Sequence, residues 1–251
     1  MPKFFVKEEQ IKDNEITIIG QDVKHIKKVL RAKIGNELQI CNSQNGKNYI
    51  CEIQELENEK IICQIKENIQ EQVESNVEVT IFQGLPKADK MEYIIQKSVE
   101  LGVYDITPIE MKRCVVKLDE KDKIKKIERW QKIAEVAAKQ CGRNIIPKIN
   151  NVINIQKLCD LINQYDIILI AYENEKQETL KAQIEKIKQN NNLDSKIKIG
   201  IIIGPEGGLE ENEVKKLEEN GAKSITLGKR ILRTETVALN VLSIIIYELE
   251  N

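Results

Sequence analysis

The feature that most constrains this chain is a change of hydrophobic rhythm near residue 70. Before it, apolar and polar residues alternate at the two-residue period of half-buried strands, in ELQIC (37–41), NYICEI (48–53) and KIICQI (60–65). SQNG and LENE separate these runs as turns. One helical stretch, QDVKHIKKVLRA, puts Val23, Ile26, Val29 and Leu30 on a common face, with Asp22 placed to cap it. The region reads as a small β-barrel or curled sheet with one helix.

From about residue 76, short apolar runs alternate with helical patterns. VEVTIF (77–82), VYDITPI (103–109), IIPKIN (145–150), DIILIAYE (166–173), IKIGIII (197–203) and SITLG (224–228) read as strands. KMEYIIQKSVEL, KIKKIERWQKIAEVAAKQC, IQKLCDLINQ, a polar segment ending in QNNNLDSK, EENEVKKLEEN and TVALNVLSIIIYELE read as helices. Buried strands alternating with helices imply an α/β domain with a mainly parallel sheet covered on both faces. The polar stretch NIQEQVESN (68–76) is the expected linker, giving domains 1–72 and 73–251.

Bulk numbers exclude little but guide the rest. The 251 residues can bury a sizeable core in one large domain or two modest ones. No apolar run approaches the roughly 20 residues of a spanning helix, and MPKFFVKEEQ turns polar too early for a signal peptide, so a soluble cytoplasmic protein is expected. Lys+Arg number 39 against 40 Asp+Glu, a net charge of −1, so a nucleic-acid surface has to be a local patch. Six cysteines without a C-x-x-C pair, beside a single histidine, argue against structural zinc and for reduced, mostly buried thiols. No metal is expected. His25, among lysines on an amphipathic helix, reads as structural, and the Ile127, Trp130, Ala134, Ala137 stripe reads as core or dimer surface.

Two loops could carry chemistry. GPEGG (204–208) follows a buried strand, at the end where open parallel sheets bind ligands. It lacks the Lys-Ser/Thr of a phosphate loop and the G-x-G-x-x-G spacing of the dinucleotide fingerprint, and Glu206 in its middle would repel a pyrophosphate. A cationic or neutral cofactor with hydroxyl and amino donors, such as S-adenosylmethionine, suits it; a plain strand-to-helix turn is the alternative. LGKRILRTET (227–236) ends the next strand and opens the last helix. Thr234 can cap that helix and Glu235 can complement its dipole, while Arg230 and Arg233 suggest an anionic group on the substrate.

GPEGGLEENE followed by LGKRILRTETVALNVL resembles the C-terminal signature of the RsmE family, SPOUT-class methyltransferases that modify a uridine at N3 in small-subunit ribosomal RNA. PKFFV, HIKKVLRAKIGNEL, QGLPKADKMEYIIQKSVELGV, RCVVK and EVAAKQCGRNIIP agree with it, so the likeness spans nearly the whole chain. KADK stands where K-G-D-[RK] is more usual, Lys3 where arginine is expected, and Lys229 where proline is common. The resemblance implies a PUA-like β-barrel at the N-terminus, a SPOUT-type sheet with a C-terminal trefoil knot, S-adenosylmethionine in the knot, and a homodimer acting on 16S ribosomal RNA of the small ribosomal subunit. General rules of chain connection would not propose a knot.

On that basis Ile203, Gly204, Pro205, Glu206, Gly207, Gly208, Leu227, Gly228, Ile231, Leu232 and Thr234 are expected at the cofactor. Arg233 is expected to stabilise charge on the uracil oxygens or hold a phosphate, and Glu206 and Glu235 are alternative proton acceptors. Lys3 and Arg31 on the small domain, and Lys87, Lys90, Arg113 and Arg143 on the large one, are the expected RNA contacts. Two other classes compete: a ribosome-assembly protein that binds RNA without catalysis, and a nicotinamide-dependent oxidoreductase, disfavoured by the missing fingerprint.

Overall fold

The computed structural model describes residues 3–70, 73–190 and 195–250. The chain groups into two compact units, residues 1–74 with 138–146 and residues 75–137 with 147–251.

In the first unit, β1 (Lys3–Val6), β2 (Ile11–Lys12), β3 (Glu15–Ile19), α1 (Gln21–Lys24), β4 (Glu37–Asn42), β5 (Asn48–Leu56) and β6 (Lys60–Ile69) follow one another. The strands form a curled sheet in the order β1-β4-β5-β6-β3-β2, antiparallel except for β1 against β4. Alternation turns Ile16, Ile18, Leu38, Ile40, Ile53 and Ile61 inward, where Phe4 and Val6 join them. Register shifts at Ile50/Cys51 and Ile53/Glu55 between β5 and β6 bend the ladder. Cys51 and Cys63 lie in this core, and burial pushes both thiols up to about 12, which keeps them protonated and inert.

The helix after β3 departs from expectation. Gly20, at φ 76, holds the N-cap position, and α1 passes into a π turn over His25–Val29. Asp22 lies inside the first turn and does not cap; its carboxylate instead receives Lys139 Nζ at 3.1 and 3.2 Å. His25 packs edge-on to Phe4, with ring centroids 6.0 Å apart, a structural contact.

The second unit runs β7 (Val77–Gly84), α2 (Lys90–Glu100), β8 (Asp105–Glu110), α3 (Glu120–Cys141, whose last turn counts with the first unit), β9 (Lys148–Ile149), β10 (Ile153–Asn154), α4 (Ile155–Leu161), β11 (Ile167–Ala171), α5 (Leu180–Asn190), β12 (Ile197–Ile203), α6 (Glu211–Glu219), β13 (Lys223–Ile225) and α7 (Thr234–Glu250). Its sheet is parallel throughout, in the order β10-β8-β7-β12-β11-β13, with β9 also paired to β8. Every residue of β7 is buried, and all of β12 except Lys198, as continuous apolar runs predict for central parallel strands. Trp130, Ala134 and Ala137 of α3 are buried too.

Two strands are shorter than their sequences suggest. IIPKIN forms a strand only at Lys148–Ile149, because Ile145 and Ile146 fold with the first unit, where the Ile145 N–H donates to Glu74. SITLG pairs over Lys223–Ile225 and then as a lone bridge at Thr226, before Gly228, at φ 109, turns the chain out of the sheet. The expected linker and domain boundary, and the middle of QNNNLDSK, fall partly on residues 71–72 and 191–194, outside the described residues. Among the described residues no helix is long and apolar enough to cross a membrane.

Candidate functional site

Central strands β7 and β12 lie side by side and parallel, so the loops after them emerge at the same sheet edge. Gly84, the last residue of β7, faces Pro205 of the GPEGG turn so closely that a Cβ there would stand 2.7 Å from the proline Cδ and N. Next to it, the buried Gln83 donates from Nε2 to the Gly84 carbonyl at 2.9 Å and to Thr234 Oγ1 at 2.8 Å. Thr234 in turn donates its hydroxyl to the Gly204 carbonyl at 2.7 Å. Thr234 is therefore not the helix cap. The main-chain carbonyl of Arg233 takes the N–H groups of Thr236 and Val237, and the Thr234 side chain, 6% exposed, joins the 227–236 loop to GPEGG.

Glu206 in the middle of the turn is met by cationic and N–H donors. The Lys87 main-chain N–H approaches its two oxygens at 3.0 and 3.3 Å, and Lys90 Nζ lies 3.0 Å from Oε1. Burial alone would raise this carboxyl, but its own backbone N–H, Lys90 and Lys87 together hold it below the usual glutamate range. Lys90 also reaches Glu235 Oε2 at 3.3 Å. Its ammonium is held above the ordinary lysine value, first by Glu206 and then by Glu235, against the opposing effect of burial. Ala88, between these two lysines, sits at φ 53, a region that favours glycine.

The segment after β8 covers the turn from another side. Arg113 Nη1 donates to the Gly207 carbonyl at 3.0 Å, and Lys112 pairs with Glu210 at 2.8 Å while its N–H donates to Glu213. After β11, the exposed Glu173 presses its carboxylate on Gly208, where a Cβ would collide with Oε1. Gly208 itself lies at φ 70 and closes the turn by donating its N–H to the Pro205 carbonyl at 2.9 Å.

A model of the RNA methyltransferase domain matches residues 73–246, and one of the RNA methyltransferase PUA domain matches residues 18–66. The chain is 39% identical over 257 residues to ribosomal RNA small subunit methyltransferase E of Bacillus subtilis (strain 168), covering 100% of this chain and 98% of that protein. It belongs to the small-subunit ribosomal RNA methyltransferase E family. A second family member, from Mesomycoplasma hyopneumoniae (strain 232), is 36% identical, with 97% of this chain and 98% of that protein covered. The crystal structure of a third, from Neisseria gonorrhoeae and bound to S-adenosyl methionine, aligns with a TM-score of 0.83 at 28% identity, over 98% of this chain and 97% of that one.

Within this family framework the site residues expected from sequence divide into groups. Gly204, Pro205, Glu206, Gly207, Gly208, Thr234 and Glu235 come together, with Lys87, Lys90 and Arg113 packed on them. Arg230 and Arg233 are exposed, and Ile231 stands 87% exposed on the same loop. In the first unit Arg31 is exposed at φ 51. Lys3 and Arg143 have other work there. Lys3 Nζ donates to Gly142 O and Asn144 Oδ1 at 2.9 and 2.8 Å. Arg143, expected on the large domain, is 7% exposed and paired through Nε with Glu74 at 3.1 Å, which leaves its guanidinium no open face for a phosphate. Gln83 and Glu173 were not singled out from sequence, although each carries a signal: a polar residue inside the apolar VEVTIFQG, and an acid ending the apolar DIILIAYE.

Proposed function

We propose that this chain transfers a methyl group from S-adenosylmethionine to N3 of one specific uridine in 16S ribosomal RNA of the small ribosomal subunit. The observation that carries the reading is the bond from the Thr234 hydroxyl to the Gly204 carbonyl at 2.7 Å, because it makes one wall from two loops that a single cofactor can share. The names of the relatives and the S-adenosyl methionine bound to the Neisseria protein support the same reading.

The residues fit this cofactor. The exposed Glu173 carboxylate against the turn suits a sulfonium and ribose hydroxyls, and with Glu206 on the turn it opposes a pyrophosphate. Gln83 Oε1, buried and without a hydrogen-bond partner among the described residues, leaves an acceptor at the same junction. The GPEGG turn and residues 227–232 would hold the cofactor mainly through backbone, with Thr234 bracing them from behind. When bound it supplies an electrophilic methyl group.

The protein's own task is the proton. Uridine N3 carries one at neutral pH, so the nitrogen lone pair is free only after an acceptor takes it. Glu235 is the proposed acceptor. Arg233, exposed and without an ion pair among the described residues, binds the negative charge that gathers on the uracil oxygens as N3–H breaks. Arg31 and Lys87 are the RNA contacts this reading keeps. Residues 1–72 act as the RNA-binding domain and 73–251 as the catalytic domain of a cytoplasmic homodimer, with the cofactor seated in a C-terminal trefoil knot.

Isothermal titration calorimetry with S-adenosylmethionine tests the cofactor assignment. Saturable binding is expected, weakened by Gly208→Val. Absence of heat at millimolar ligand turns the assignment toward an RNA-binding protein without catalysis.

A further inference from the structure

Lys90 stands where helix physics alone would not put it. It is the first residue of α2, where the aligned peptide dipoles present partial positive charge and disfavour a cation. Its side chain is 29% exposed, and the ammonium lies 3.0 Å from Glu206 Oε1 and 3.3 Å from Glu235 Oε2. One nitrogen thus joins three segments: the start of α2, the GPEGG turn and the start of α7.

The two carboxylates it bridges are unequal. Glu206 also takes the Lys87 main-chain N–H across both oxygens, so its acceptor capacity is largely used. Glu235, in the first turn of α7 and two residues after the exposed Arg233, has the Lys90 ammonium as its ion-pair partner. The charged side chains acting on Lys90 are Glu206 and Glu235, and the one acting on Glu206 is Lys90.

We infer that Lys90 is a positioning residue that ties Glu235 to the GPEGG turn and aims its carboxylate to accept the N3 proton. The inference rests on the methyl-transfer reading. In the step it serves, the N3–H bond breaks, an O–H bond forms on Glu235, and the electron pair stays on N3. Without the ammonium, Glu235 loses its ion-pair partner. Glu206 keeps the Lys87 N–H, so the loss bears chiefly on Glu235.

The test is the pH dependence of single-turnover RNA methylation between about pH 5 and pH 9, with S-adenosylmethionine affinity measured beside it. In Lys90→Met, or Lys90→Gln should the first not fold, the acid limb is expected to move up by about one pH unit with cofactor affinity within about threefold of wild type. Lys90→Arg restores the limb, and Glu206→Gln leaves it near its original place. An acid limb unmoved in folded Lys90→Met, or one that disappears in Glu206→Gln, overturns the inference, whatever the absolute rates. A wild type that methylates RNA without any acid limb overturns it while the methyl-transfer reading stands, and one that binds the cofactor but methylates no RNA overturns both.

Discussion

Gly84 and Pro205 meet at the ends of two adjacent central strands, with no room between them for a side chain: a Cβ on Gly84 would stand 2.7 Å from the proline ring. The close approach seats the GPEGG turn on β7. Gly84→Ala therefore has to push backbone against backbone, and overpacking of this kind costs roughly 1–3 kcal/mol. A melting temperature lower by several degrees and cofactor binding weakened about tenfold or more are expected. Scanning calorimetry and titration calorimetry on the same sample check both.

Thr234 pairs with the Gln83 amide N–H and the Gly204 carbonyl together. Thr234→Val preserves shape but leaves a buried amide N–H and a buried carbonyl unpaired, each worth about 1–3 kcal/mol. Denaturant unfolding is expected to show that loss, and Thr234→Ser to recover most of it.

Ala88 holds a left-handed conformation at φ 53 that glycine adopts without penalty. Ala88→Gly relieves strain of about 1–2 kcal/mol, partly offset by the larger backbone entropy of glycine in the unfolded chain. The net expectation is a melting temperature equal to or up to a few degrees above wild type. A fall of several degrees would contradict the strained geometry.

Much of the fold was legible because burial repeats with the period of the element. Ile16 and Ile18, or Val77 through Phe82, announce a half-buried and a fully buried strand by pattern alone. The glycine turn was legible for a similar local reason, since its sequence states the backbone it needs. What was not legible depends on partners far along the chain. Arg143 looks like a surface cation until Glu74, 69 residues earlier, is found against it. Lys90 reads as an RNA contact until Glu206 and Glu235 close on it, and the Thr234 hydroxyl can either cap a helix or reach a carbonyl 30 residues away. Spacing along the sequence does not distinguish such outcomes.

The Glu74–Arg143 pair predicts a pH dependence of stability. Burial would raise the Glu74 carboxyl, but Arg143 and the N–H groups of Asn144 and Ile145 hold it below the usual range in the folded protein. Its contribution is then fully present above the ordinary unfolded value of about 4.3. It is lost as pH falls from there through the depressed folded value. Unfolding midpoints measured downward from neutral pH should fall more steeply in wild type than in Glu74→Gln. Arg143→Met, which takes the guanidinium from the half-buried Glu74 carboxylate but leaves its Asn144 and Ile145 N–H donors, should cost about 1.5–3 kcal/mol at neutral pH.

The central claim is that the two loops joined through Thr234 serve methyl transfer to a uridine N3. The most direct measurement is mass-spectrometric mapping of methylated uridines in small-subunit ribosomal RNA from cells with and without this protein, and with Arg233→Ala in its place. One N3-methyluridine present with the wild type, absent without it and strongly reduced with Arg233→Ala is the predicted result. An identical set of modified uridines in all three would contradict the account.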